Sequence, residues 1–118
     1  SVALYTPLAY TLLVEFVETS VFTRLIRDLL PDPDYRLLQW ALLGNPKAGA
    51  VIPKGAGLRK VRWSQPGRGK RGSLRVIYYW DESEARIYLL FAYAKADAGD
   101  LTQAQLKELA SLVRENLK

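Results

Sequence analysis

The apolar residues of this chain change their spacing along its length, and those changes mark out the elements. Residues 11–16 (TLLVEF) form a short run rich in apolar and β-branched side chains, which predicts a strand. From residue 20 to 30, Val21, Phe22, Leu25, Ile26, Leu29 and Leu30 recur every three or four positions, the spacing of an amphipathic helix with Thr19 or Ser20 as its cap. Pro31 and Pro33 end that helix. Asp32 or Asp34 is placed to cap a second one, whose stripe of Tyr35, Leu38, Leu42 and Leu43 stops at Gly44, Asn45 and Pro46.

Residues 47–57 hold three glycines and a proline and read as a loop. Residues 58–64 then alternate, with Leu58, Lys60, Arg62 and Ser64 on one face and Arg59, Val61 and Trp63 on the other, so a strand with one charged face is expected. A Gly-rich turn (QPGRGKRGS, residues 65–73) leads to a second strand over 74–80. Residues 81–85 turn the chain into 87–93 (IYLLFAY), an almost unbroken apolar run expected at the centre of a sheet. Three strands joined by short turns predict an antiparallel meander. Residues 103–117, capped by Thr102 and striped by Leu106, Leu109, Leu112 and Val113, predict a terminal helix.

This order predicts an α+β domain: an antiparallel-dominated curved sheet, two N-terminal helices in hairpin, and a C-terminal helix, with the helices on one face and the other face left for function. At 118 residues the chain has the size of one domain. Residues 1–10 fit no motif and are read as an extension or a disordered segment. No internal repeat, heptad or low-complexity tract interrupts the pattern.

Charge changes the picture more than composition does. The net charge is +5, but residues 35–80 contain no acid and ten bases: Arg36, Lys47, Lys54, Arg59, Lys60, Arg62, Arg68, Lys70, Arg71 and Arg75. The remainder of the chain is net negative. A local cationic field attracts polyanions, of which phosphate backbones are the most abundant in a cell. A merely soluble surface usually mixes its signs. The chain has no Cys and no His, so catalysis must fall to Lys, Arg, Asp, Glu, Tyr or Ser. No apolar run reaches the roughly 18–20 residues a membrane span needs, and the largely apolar start lacks the positive charge of a signal peptide, so a cytoplasmic protein is expected. The turn GRGKRGS lacks the spacing of a nucleotide-binding loop.

From GLRKVRW through GKRGSLRVIYYW to YLLFAYAK, residues 57–95 closely resemble the HigB-type toxins of the RelE superfamily. The resemblance extends upstream through DYRLLQWALLGNPKAGAVIPKGAGLRK and downstream through DLTQAQLKELASLV, covering roughly residue 19 to the C-terminus. It implies a RelE-like small domain that acts as the toxin of a type II toxin–antitoxin system: an endoribonuclease (mRNA interferase) cutting messenger RNA on the ribosome. It further implies no metal and no cofactor, and a helix-turn-helix, HigA-like antitoxin as cognate partner beside ribosome and mRNA. In such enzymes the RNA 2′-hydroxyl attacks the adjacent phosphate, leaving a cyclic phosphate and a free 5′-hydroxyl. By position, Lys60 and Arg62 resemble the family's basic pair, Arg75 its arginine on the next strand, and Lys95 the lysine closing its Tyr-x-Lys motif.

Arg75 is the expected transition-state stabiliser, because its planar fork grips two phosphate oxygens and its permanent charge makes it a poor base. Lys60 is the best base candidate, since neighbouring cations and burial both favour a neutral lysine. Arg62 is expected to hold substrate phosphate, and Lys95 to do so or to assist proton transfer. Lys54, Arg59, Arg68, Lys70 and Arg71 are candidate RNA-binding cations, and Tyr93, like Tyr78, Tyr79 and Trp80, is either a stacking platform or core. Ser73, Ala56 and Ala94 depart from the family pattern without removing an ionisable group. Ala96, Asp97 and residues 101–105 supply neither the arginine nor the tyrosine that some relatives carry there, which leaves the general acid or base unassigned, with Lys95 or a group of the ribosome as candidates. Two other readings use the same residues: a noncatalytic RNA- or DNA-binding module, and a degenerate toxin kept as a complex-forming subunit.

Overall fold

A computed structural model describes residues 13–64, 73–95 and 99–117. Strand β1 (Glu15–Glu18) leads to helices α1 (Ser20–Leu29) and α2 (Asp32–Gly44). Strands β2 (Ala50–Val51), β3 (Arg59–Trp63), β4 (Leu74–Asp81) and β5 (Arg86–Ala94) follow, and then helix α3 (Gln103–Leu112), which ends in a wider helical turn over Val113–Leu117. The strands form one sheet in the order β1-β5-β4-β3-β2, antiparallel except where β1 runs parallel to β5. The fold is α+β, as the spacing predicted, and among the described residues no helix is long and apolar enough to cross a membrane.

Thr19 caps α1, its hydroxyl accepting from the Phe22 amide, and Thr102 caps α3 in a reciprocal box with Gln105. The cap of α2 differs from expectation. Pro31 holds that position without a side-chain bond, and Asp32 and Asp34 lie inside the first turn, where their charges favour the positive end of the helix dipole. The first strand is shifted to Glu15–Glu18; residues 1–12 lie outside the described residues. The expected loop over 47–57 contains β2, a two-residue edge strand on β3.

The larger correction concerns the layers. Phe22, Ile26, Leu30, Leu38 and Leu42 of the N-terminal helices bury against Leu74, Val76, Tyr78, Ile87, Leu89 and Ala92. Ala110 and Val113, at the end of α3, pack with Leu58, Ile77, Leu90 and Tyr93. Successive strand side chains point to opposite faces, so α3 covers the face opposite α1 and α2, and the sheet lies between two layers. A β-bulge feeds both. Ile77 pairs with Phe91 and Tyr78 with Leu89, leaving Leu90 as the extra residue, so Leu90 and Phe91 both join the α3 side.

Two polar arrangements, partly buried, fix the N-terminal layer. The Glu18 carboxylate accepts from Thr23 Oγ1 and Tyr35 Oη, each at 2.6 Å, joining β1 to both helices. Tyr78 Oη accepts from the Gly49 amide at 2.9 Å and donates to the Pro46 carbonyl at 2.7 Å, holding the chain that enters β2. A Cβ on Gly49 would stand 2.8 Å from the Tyr78 ring, so the approach requires glycine. Tyr78→Phe is expected to leave the buried Gly49 amide unpartnered and cost about 1–3 kcal/mol. Urea unfolding followed by circular dichroism checks this; an unchanged midpoint would show that the bond contributes nothing.

Candidate functional site

The sheet face that carries α3 also carries the cations. Lys60 and Arg62 project from β3 to this face, while Val61 and Trp63 pack on the helical layer opposite. The register places Arg62 directly across from Arg75, and Arg75 directly across from Tyr93, so these three side chains form one row over β3, β4 and β5. Lys60 sits in the adjoining row beside Ile77. Directly opposed strand residues hold their Cβ atoms roughly 4.5–5.5 Å apart, where two like charges repel. A fold with nothing to bind there would gain by replacing one of these arginines.

Arg75 is the unusual residue. It is 4% exposed, and among the described residues its Nη1 donates to the hydroxyl of Ser73, two residues away on the same face. Its Nε has no partner, and among the described residues no carboxylate pairs with it. A buried guanidinium carries a desolvation cost that a carboxylate usually offsets. None of the described carboxylates takes that place, and a phosphate offers two oxygens in the geometry of the fork.

Tyr93 is 6% exposed, its ring 6.0 Å from that of Phe91 and its hydroxyl without a well-formed hydrogen bond. Burial raises its pKa above the ordinary tyrosine value, with Asp100 adding to the rise; the Leu101 backbone amide and the charges of Arg75 and Arg62 act against it. A ring this enclosed offers no free face to a base, so Tyr93 forms the floor of the site instead of a stacking platform.

Arg62 and Lys60 reach the surface of this row. Together with Ala48, Ala50 and Val61 they line a depression of about 380 Å³ at the β2–β3 edge, where they are the charged side chains among the described residues. Lys95 is exposed just past β5; its amide donates to the Ser73 carbonyl at 3.2 Å, which holds its backbone beside the row. Lys54 is exposed in the loop between β2 and β3, away from Arg75 along the sheet.

Arg59 does not join them. It points to the opposite face, where its Nη1 donates to the carbonyls of Gly49 at 2.8 Å and Lys47 at 3.3 Å, tethering the loop before β2. Arg68, Lys70 and Arg71 lie outside the described residues. Tyr78 and Trp80 belong to the helix-side core, and Tyr79 packs in the α3-side cluster, where its ring lies near that of Tyr88. Ser73 was missed as a site residue from sequence. Its spacing of two from Arg75, which places both on one face of a strand, was the available signal.

Tyr35, Tyr78, Tyr79 and Tyr93 all have pKa values raised above the ordinary tyrosine value, burial being the largest cause in each. The stability they contribute is fully present below pH ~10 and is lost as pH rises further, because the unfolded chain sheds those protons first. Tyrosinate absorbance is expected to rise in step with loss of the folded circular dichroism signal above pH ~10. Complete ionisation with the fold intact would contradict it.

Chemically, the row offers two fixed positive charges side by side, of which Arg62 is exposed, and a half-buried lysine beside them. Among the described residues no three acidic side chains gather as a metal-ligand group. No family model matches the chain.

Proposed function

We propose that this protein is a RelE-like toxin of the HigB type, an endoribonuclease that cuts messenger RNA on the ribosome in the cytoplasm. The observation that carries the reading is Arg75: a buried cation with no carboxylate partner among the described residues, set opposite a second arginine on the face that also bears Lys60. The sequence resemblance over residues 57–95 supplies the reaction. The 2′-oxygen attacks the adjacent phosphorus, the bond from phosphorus to the 5′-oxygen breaks, and a cyclic phosphate and a 5′-hydroxyl result.

In this reading Arg75 and Arg62 stabilise the charge that gathers on the phosphoryl oxygens, and Lys60 accepts the proton of the 2′-hydroxyl. Ser73 orients Arg75. Lys95 is placed to hold phosphate or to return a proton to the leaving oxygen. A helix-turn-helix antitoxin is the expected partner.

Primer extension on a reporter message in a cell-free translation reaction tests the proposal, comparing wild type with Arg75→Gln and Lys60→Ala. Cuts within translated codons that vanish in both variants are expected. Tight, salt-sensitive RNA binding without any cut would instead favour a noncatalytic RNA-binding module.

A further inference from the structure

Beside the Arg75 row, the α3 face of the molecule carries a second cationic feature. Lys54, Gln103, Lys107 and Arg114 line a groove of about 330 Å³ between the β2–β3 loop and α3, over a floor that includes Leu106 and Ala110. Among the described residues none of its lining side chains is acidic. Ile52, Ala56 and Leu58 pack with Ala110 and Val113 at its base, so the loop and the helix end are held together as its two walls.

Charge is sorted between the two sides of α3. Lys107 and Arg114 fall on the side that meets the loop. Glu108 falls on the other side, with Gln105, Leu109 and Leu112, lining a separate and largely apolar groove against Leu90 and Phe91. Leu58, Lys60 and Arg62 share one face of β3, so the basic groove begins where the strand leads away from the Arg75 row. The cations on the α3 side therefore fall in two groups, Arg75, Arg62 and Lys60 in one and Lys54, Lys107 and Arg114 in the other.

From this geometry we infer that the groove between the β2–β3 loop and α3 is a backbone track, which holds successive phosphates of the same single-stranded RNA whose reacting phosphate lies at Arg75. The inference rests on the function proposed above and adds the course of the strand. A group of spaced, solvent-facing cations fits a repeating polyanion, whereas the buried Arg75 fits a single phosphate. Its charged lining side chains are lysines and an arginine suited to phosphates, so their contribution is expected to depend on strand length more than on sequence.

The test measures equilibrium binding of fluorescein-labelled RNAs of roughly four and twelve nucleotides by anisotropy across a salt series, both lengths lying within the usual range of single-strand site sizes. Wild type, Lys107→Gln/Arg114→Gln and Arg75→Gln are compared; residues 107 and 114 are exposed, and thermal unfolding checks that all three proteins fold alike. The double variant is expected to bind the short strand as wild type does. It is expected to bind the long strand at least about tenfold more weakly, with the slope of log affinity against log salt reduced by about 1.4. Arg75→Gln is expected to weaken both lengths alike. Unchanged long-strand affinity and slope in the double variant would overturn the track while leaving the Arg75 site standing. Weakening by the double variant but not by Arg75→Gln would overturn the site and keep the groove as an RNA surface. Failure of wild type to bind either strand would sink both.

Discussion

Replacing Arg75 by Met is expected to lower RNA cleavage by about 10²–10³-fold, the loss seen when one preorganised charge-stabilising group is removed from an active site. The same replacement is expected to stabilise the fold. Arg75 is 4% exposed, bonds only to Ser73 and has no carboxylate partner among the described residues, so its burial costs free energy that a thioether of similar length does not. A gain of about 1 kcal/mol would raise the thermal midpoint by roughly 3–6 °C in a domain of this size. Cleavage assays and thermal unfolding of the same preparation decide the matter. A variant that loses both activity and stability would show Arg75 to be a structural residue, whereas opposite movement marks a group held in place for its ligand.

The largest loss of stability is expected at Phe22→Ala. Phe22 is fully buried, leads the α1 stripe, and lies 6.0 Å from the Tyr35 ring. Truncation costs about 3–5 kcal/mol, a large share of the roughly 5–15 kcal/mol that holds a typical domain together. Urea denaturation should show the midpoint falling with little change in slope. A loss under about 1 kcal/mol would mean that the layer collapses around the gap. Since Phe22 contacts the face opposite the cations, residual folded protein should keep its affinity for RNA.

How much of this was legible in the sequence depended on whether a feature was local. Alternation over 58–64 separated Lys60 and Arg62 from Val61 and Trp63, and the helix stripes named Phe22, Ile26, Leu38 and Leu42, because both patterns follow from fixed periods of 2.0 and 3.6 residues. The same alternation also assigned Arg59 to the far face, yet its charge alone made it a candidate; its role as a tether depends on the loop carbonyls of Lys47 and Gly49, which no period encodes. The pairing of Arg62 with Arg75 needed the strand register. The Gly-rich turn did not supply it, because turns of that length fix register only loosely. The position of α3 was a misreading with a visible warning. Ile77 and Tyr79 alternate with Val76 and Tyr78, so β4 is apolar on both sides, and a strand apolar on both sides requires a cover on each.

The parallel pairing of β1 with β5 has a consequence in time. Glu15 meets Arg86, 71 residues later, and Thr19 reaches the Leu90 carbonyl across the same span. At a synthesis rate of about 5–20 residues per second, β1 waits on the order of 4–14 s for its partner to be made. β5 also supplies Tyr93 to the row that holds Arg75. The strand that completes the sheet therefore completes the cation site too, so a chain still emerging from the ribosome carries the arginines without the floor that encloses them.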